Sequence, residues 1–219
     1  MDKLKGGLVV SCQALEHEPL HGNGHMAAMA YAAAQGGAVG IRANGPTDIA
    51  EIKEKVDLPI IGIWKKHYDG FDAFITPTKE DARIVAEAGA DIIAIEATDQ
   101  SRPEKLDELV TYIQDVLGKK VMADISTLSE GKNAQALGCD YIGTTLSGYT
   151  PYTKDRAQPD FSLLEELVQE VSIPIVAEGS ISTTEQAKKA LEIGAAFVVV
   201  GGAITRPQLI TKSFVDGLK

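Results

Sequence analysis

Residues 173–202 read IPIVAEGSISTTEQAKKALEIGAAFVVVGG, and this stretch decides the fold. A short apolar run over 173–179 ends in Glu178-Gly179. Thr183 opens an amphipathic helical stretch over 184–193, Gly194 closes it, and a second apolar run over 197–202 ends in Gly201-Gly202. A threonine hydroxyl accepts one of the orphan amides at a helix start, and glycine enters the left-handed conformation that ends a helix. Strand, helix and strand in such close succession make a crossover unit, and right-handed crossovers set its strands parallel.

The same unit recurs along the chain. Strand-like runs read LVVSCQ (8–13), AVGIRA (38–43), PIIGIWK (59–65), DIIAIEA (91–97), KVMADIS (120–126), YIGTT (141–145) and then the two above. Between them lie helical stretches: HMAAMAYAAAQ (25–35), a segment near 47–55 opened by Thr47 and Asp48, KEDARIVAEA capped by Thr78, and one with Pro103 in its first turn. Others begin at Thr127 or Ser129, at Asp160 and at Thr183, and a last helix runs from Pro207. Gly36, Gly89, Gly118, Gly138 and Gly194 close them. Eight units of nearly even length favour a closed (β/α)8 barrel, an α/β fold occupying 1–219 as a single domain, over an open doubly wound sheet. One connection breaks the rhythm: the longer loop at 146–160, which follows the sixth run and is expected to act as a lid.

Composition narrows the class. A net charge of −10 argues against nucleic acid as a partner. No stretch reaches the ~18 apolar residues of a membrane span. The start, MDKLKGG, lacks the apolar core of a secretion signal, so a cytoplasmic protein is expected. Cys12 and Cys139 are too few for a disulfide framework and are read as reduced.

In a parallel barrel the C-terminal strand ends face one mouth, where active sites sit. Side chains alternate across a strand. Lys65 shares its face with Ile61 and Ile63, Glu178 with Val176, Asp124 with Met122, and Arg42 with Gly40, so each charged group is the last on an inward face. Gln13 ends the first run. Lys65 and Glu178 end the third and seventh runs, diametrically opposite in a ring of eight. That layout suits removal of a proton from one face of a carbon and its return to the other. Gly179-Ser180 and Gly201-Gly202 close two adjacent loops, where exposed backbone amides receive phosphate, with Arg206 as a cationic contact. Tyr149 and Tyr152 in the long loop are candidates to close over a substrate.

Other residues are read as structural. His17, His21 and His25 recur at four-residue spacing, but Pro19, Gly22 and Gly24 argue for a loop without metal. His67 is read as exposed, Cys12 as a buried small residue and Trp64 as packed under helices. These residues leave open a phosphosugar isomerase, a lyase using Lys65 as a Schiff-base nucleophile, and a non-catalytic phosphosugar sensor.

The segments SCQALEHEPLHG, GGAVGIRA, PIIGIWK, MADIST, TTLSGYTPY, AEGSI and VVVGGAITRPQLITK run almost end to end through the chain. In them the sequence resembles the N-acylmannosamine-6-phosphate 2-epimerase family. The resemblance implies a (β/α)8 barrel that interconverts N-acetylmannosamine 6-phosphate and N-acetylglucosamine 6-phosphate in sialic-acid and amino-sugar catabolism. It also implies no cofactor and a homodimer. It makes Lys65 and Glu178 the catalytic pair, Gln13, Arg42 and Asp124 substrate contacts, and Gly179, Gly201, Gly202 and Arg206 the phosphate site. Ser180 stands where a basic residue is expected, Glu96 where an aspartate is, Asp99 at an often basic position, and His67 at an often acidic one.

Overall fold

The computed structural model describes residues 3–219. Its strands form one closed parallel barrel in sequence order: β1 (Leu8–Cys12), β2 (Gly40–Asn44), β3 (Ile60–Ile63), β4 (Ile92–Glu96), β5 (Lys120–Asp124), β6 (Tyr141–Gly143), β7 (Ile175–Glu178) and β8 (Phe197–Val200). β8 pairs with β1 through Val9 and Val199, which closes the ring and leaves no free sheet edge.

Helices cover the outside: α1 (His25–Gln35), α2 (Pro46–Lys55), α3 (Lys79–Glu87), α4 (Leu106–Thr111), α5 (Leu128–Ala136), α6 (Phe161–Glu170), α7 (Thr184–Ile193), α8 (Gly202–Thr205) and α9 (Pro207–Gly217). Local chemistry sets their starts. Thr78 accepts from the Asp81 amide and Asp160 from the Leu163 amide, while Thr127–Glu130 and Thr183–Gln186 form complete capping boxes. Two starts differ from expectation. α2 begins at Pro46, one residue early, because proline is pre-set for a first helical position. α4 begins at Leu106, past Pro103, and its last turns widen to a π-helix over Tyr112–Val116. Arg102 explains the delay: it donates to the carbonyls of Glu96 and Thr98 and holds the chain in a turn.

Strand alternation divides the core in two. Val9, Ile61, Ile63, Met122, Val176 and Val199 fill the barrel interior. Val10, Ile41, Ile93, Ala123, Ile142 and Val198 face the helices. The outer layer is tight: a Cβ on Gly62 would come within 2.6 Å of Ala90 and Val85, so only glycine permits this approach of β3 to its neighbours. Cys12 is buried in the outer layer, where burial pushes its thiol up to about 12. Trp64 packs against that layer, and His67 is exposed and stacked on Phe74. His25 opens α1, whereas His17 and His21 lie in the preceding loop. α9 buries none of its side chains; Leu209, Phe214 and Val215 stand exposed on it, as does Leu218 just beyond its end. No helix among the described residues is long and apolar enough to cross a membrane.

Candidate active site

A cavity of about 870 Å³ opens at the C-terminal end of the barrel. Of the residues singled out from the sequence, Gln13, Arg42, Lys65, Tyr149 and Glu178 line it, and so do Gly179, Ser180, Gly201, Gly202 and Arg206. Asp124 is not among the lining residues. Its side chain is fully buried, and its oxygens accept from Arg42 Nη2 at 2.5 Å, Arg42 Nη1 at 3.1 Å and Thr145 Oγ1 at 2.7 Å. Asp124 thus holds Arg42 from below.

Arg42 is the hub. Its Nη1 also donates to Glu178 Oε2 at 2.7 Å, so one guanidinium spans carboxylates from β5 and β7. A planar fork with several fixed donors makes such a span, which a lysine point charge cannot reproduce. Burial opposes the Arg42 charge, but Asp124 and Glu178 outweigh it and hold the group firmly cationic. Thr144 secures the end of β7: it accepts from the Glu178 amide and donates to the Glu178 carbonyl.

Glu178 is almost enclosed, and desolvation pushes its carboxyl up to about 7, with Asp124 adding to the rise and Arg42 opposing it. This carboxyl therefore keeps its proton in the fold across a range where the unfolded chain has lost it. A raised folded pKa contributes stability that is present below the ordinary value of 4.5 and is lost as pH rises through about 7. We expect Glu178→Gln to abolish that part of the pH dependence. Urea denaturation of both proteins from pH 4.5 to 8 measures it, and parallel stability curves would contradict the shift.

Lys65 lies two residues beyond the end of β3, not on it. It is held in an isolated antiparallel bridge with Ile75, and its amide donates to Asn44 Oδ1 at 2.8 Å. The segment 74–76 is pinned in turn by Glu96, whose amide donates to the Ile75 carbonyl and whose carboxylate accepts from the Phe74 amide. Glu96, a departure from the expected aspartate, therefore faces this loop and not the cavity. The Lys65 amine makes no hydrogen bond or ion pair among the described residues. Burial, followed by the positive charges of Arg42 and Arg206, lowers its pKa, and Glu178 and Asp124 oppose this in part. A lysine so placed gives up its proton more readily than an exposed one. β3 and β7 are four positions apart in the ring, so Lys65 and Glu178 approach the cavity from opposite sides.

Gln13 points one way for a definable reason. Its Nε2 donates to Ser11 Oγ at 2.8 Å, which leaves Oε1 buried with no partner. The loop after β7 turns sharply, with Gly179 at φ 120° and Ser180 at φ 54°, and brings both residues to the cavity wall. Arg206 lines the same wall while paired with Glu18. In the long loop Tyr149 overhangs the mouth, its hydroxyl 3.3 Å from Ser180 Oγ. Tyr152 turns away: it donates to Glu130 and accepts from the Asp99 amide, so it anchors the loop and does not close it over the cavity.

Ser11, Phe74, Ile75 and Thr145 line the cavity without having been anticipated. Ser11 lies two residues before Gln13 on the same face, and alternation identifies it once Gln13 is chosen. Thr145 had a signal in the paired threonines ending the sixth run. Phe74 and Ile75 come from an irregular loop with no periodicity to read.

Comparison with known proteins agrees with this architecture. The family described as "Putative N-acetylmannosamine-6-phosphate epimerase" matches residues 26–219. Proteins named "Putative N-acetylmannosamine-6-phosphate 2-epimerase" from Clostridium perfringens and Listeria welshimeri are 54% identical over 221 residues and 52% identical over 223. Both alignments cover 100% of this chain; they cover 100% and 94% of those proteins. A solved structure described as the N-acetylmannosamine-6-phosphate 2-epimerase from Clostridium perfringens superposes with a TM-score of 0.95 at 53% identity, over 98% of this chain and 94% of that one. The thiamine phosphate pyrophosphorylase from Pyrococcus furiosus, at 20% identity and a TM-score of 0.63 over 93% and 88% of the two chains, shares the fold alone. This chain belongs to the N-acetylmannosamine-6-phosphate epimerase family.

Proposed function

We propose that the protein interconverts N-acetylmannosamine 6-phosphate and N-acetylglucosamine 6-phosphate by removing and returning the C2 proton, without a cofactor. The observation that carries this reading is the pairing of Lys65 and Glu178 across one cavity, over a buried Arg42–Asp124 pair. Moving a proton from Lys65 to Glu178 leaves the net charge of these four groups unchanged. A neutral lysine is therefore accessible without loading the interior with charge.

In the open-chain sugar, C2–H is alpha to the C1 aldehyde. Loss of that proton leaves an enolate, and protonation on the opposite face inverts C2. Arg42 lines the cavity as a fixed cation, and a positive charge held there in advance lowers the energy of the developing enolate. Gln13 Oε1 accepts a hydrogen bond from a substrate hydroxyl or amide. Gly179, Ser180, Gly201, Gly202 and Arg206 take the phosphate, so binding energy remote from C2 fixes its position. Tyr149 covers the mouth.

The proposal places the enzyme in the cytoplasm, in sialic-acid and amino-sugar catabolism, and as a homodimer. The exposed apolar face of α9 supports the last point, and light scattering should give twice the chain mass of 23.3 kDa. Proton NMR of the protein with N-acetylmannosamine 6-phosphate in D2O, with chelator and no added cofactor, tests the reaction. N-acetylglucosamine 6-phosphate carrying deuterium at C2 is expected. A borohydride-trapped adduct on Lys65 would replace this reading with a lyase, and binding without exchange or product would replace it with a sensor.

A further inference from the structure

We propose that Glu18 is a positioning residue for the phosphate end of the site, gripping one edge of the Arg206 guanidinium so that the other is aimed over Gly202. The inference rests on the reading of the loops after β7 and β8 as a phosphate cradle.

Glu18 lies in the loop between β1 and α1, 188 positions from Arg206 in sequence. Its Oε1 accepts from Arg206 Nε at 2.6 Å and from Gln208 Nε2 at 3.2 Å. Its Oε2 accepts from Arg206 Nη2 at 3.1 Å and from the Leu15 amide at 2.7 Å. The carboxylate is thus held by its own loop on one side and by α9 on the other, and its side chain is only 12% exposed. A guanidinium is a rigid plane, so fixing Nε and Nη2 also fixes Nη1. Nη1 has no protein partner among the described residues and stands 3.7 Å from where a Cβ on Gly202 would lie. The ion pair therefore consumes the edge facing away from Gly202 and leaves the end facing it.

The need for such a clamp follows from the cradle itself. Of its five residues, Gly179, Ser180, Gly201, Gly202 and Arg206, only Arg206 is charged. An unheld arginine must be ordered by its ligand, and that cost is subtracted from affinity. Glu18 also places a negative charge near a phosphate dianion, so its effect has two possible signs. Either it presents the arginine, or it competes with phosphate for it. The bidentate grip, with Nη1 left over, favours presentation.

The test is a phosphorus NMR titration with inorganic phosphate, paired with KM and kcat for the phosphosugar. The proteins are wild type, Glu18→Ala, Glu18→Gln, Arg206→Ala and the Glu18→Ala/Arg206→Ala double variant. Glu18→Ala should weaken inorganic phosphate binding and raise KM about tenfold, with kcat changed less than about twofold. Glu18→Gln should fall between, because an amide oxygen still accepts one N–H. In the Arg206→Ala background, loss of Glu18 should change neither quantity, since residues acting through one group are not additive. Tighter phosphate binding by Glu18→Ala would overturn the proposal and make Glu18 a competitor. A lowered denaturation midpoint with unchanged phosphate affinity would overturn it in favour of a structural staple. Failure of wild type to bind inorganic phosphate would overturn the cradle reading, and this inference with it.

Discussion

Lys65→Ala should lose about 10²–10⁴-fold in turnover, the range a positioned acid–base group contributes, while folding as well as the wild type. The amine makes no hydrogen bond or ion pair among the described residues, and the Lys65–Ile75 bridge that holds this segment is made by backbone. Its removal takes a desolvated amine from the cavity and leaves the hydrogen bonds of Arg42, Asp124 and Glu178 in place. Circular dichroism and a thermal midpoint check the fold, and deuterium exchange at C2 of the substrate checks the chemistry. Lys65→Arg should be as inactive as the alanine variant: a guanidinium stays protonated, so charge alone is retained and basicity is not. Normal exchange at C2 in Lys65→Ala would remove Lys65 from the reaction.

Arg42→Ala should cost about 3–5 kcal/mol of stability, the usual penalty for stripping one partner from a buried ion pair. Arg42 is 1% exposed and satisfies Asp124, which has no exposure at all, and Glu178, which has little. Without the guanidinium two carboxylates face each other, one fully buried and one at the cavity floor. Each then gains by taking up a proton, so the loss should be larger at pH 8 than at pH 5. Arg42→Lys should recover only part of the stability, because an ammonium on a flexible stem cannot reach Asp124 with two donors and Glu178 with a third. Urea denaturation at the two pH values measures this. Stability within about 0.5 kcal/mol of wild type would mean that the carboxylates are not both relying on Arg42. Turnover should also fall steeply, because Glu178 would lose the cation that opposes its upward shift.

The two substitutions fail for different reasons, and the difference follows the construction of the site. On the proposed reading Lys65 is free to react because its segment is held by backbone and its amine makes no hydrogen bond or ion pair among the described residues. Arg42 and Asp124 form a rigid floor: both Asp124 oxygens accept from Arg42, whose Nη1 also donates to Glu178 Oε2, and the Arg42 Nε is buried without a partner.

Much of this was legible in the amino-acid sequence. The eight strand–helix units, their order and their caps at Thr78, Asp160 and Thr183 follow from interactions between residues a few positions apart, which a linear sequence displays directly. Strand alternation likewise sent Lys65, Glu178, Arg42 and Gln13 to one mouth, because the face a side chain takes depends only on its parity along the strand. Parity does not say how far a side chain reaches or what it meets. Asp124 has the right parity, yet it lies beneath Arg42, and that depth was decided by strand register around the ring and by Thr145. Tyr152 and Tyr149 are three residues apart in one loop, but a buried Glu130 captured the first and left the second over the cavity. The pairing of Glu18 with Arg206 joins opposite ends of the chain and exists only because β8 closes onto β1. The sequence by itself therefore determined the barrel and the list of groups at its mouth, since both arise from short-range periodicity. Which of those groups are locked together, and which is left free to react, was decided by barrel closure, because only closure brings carboxylates and cations from distant strands within hydrogen-bond reach.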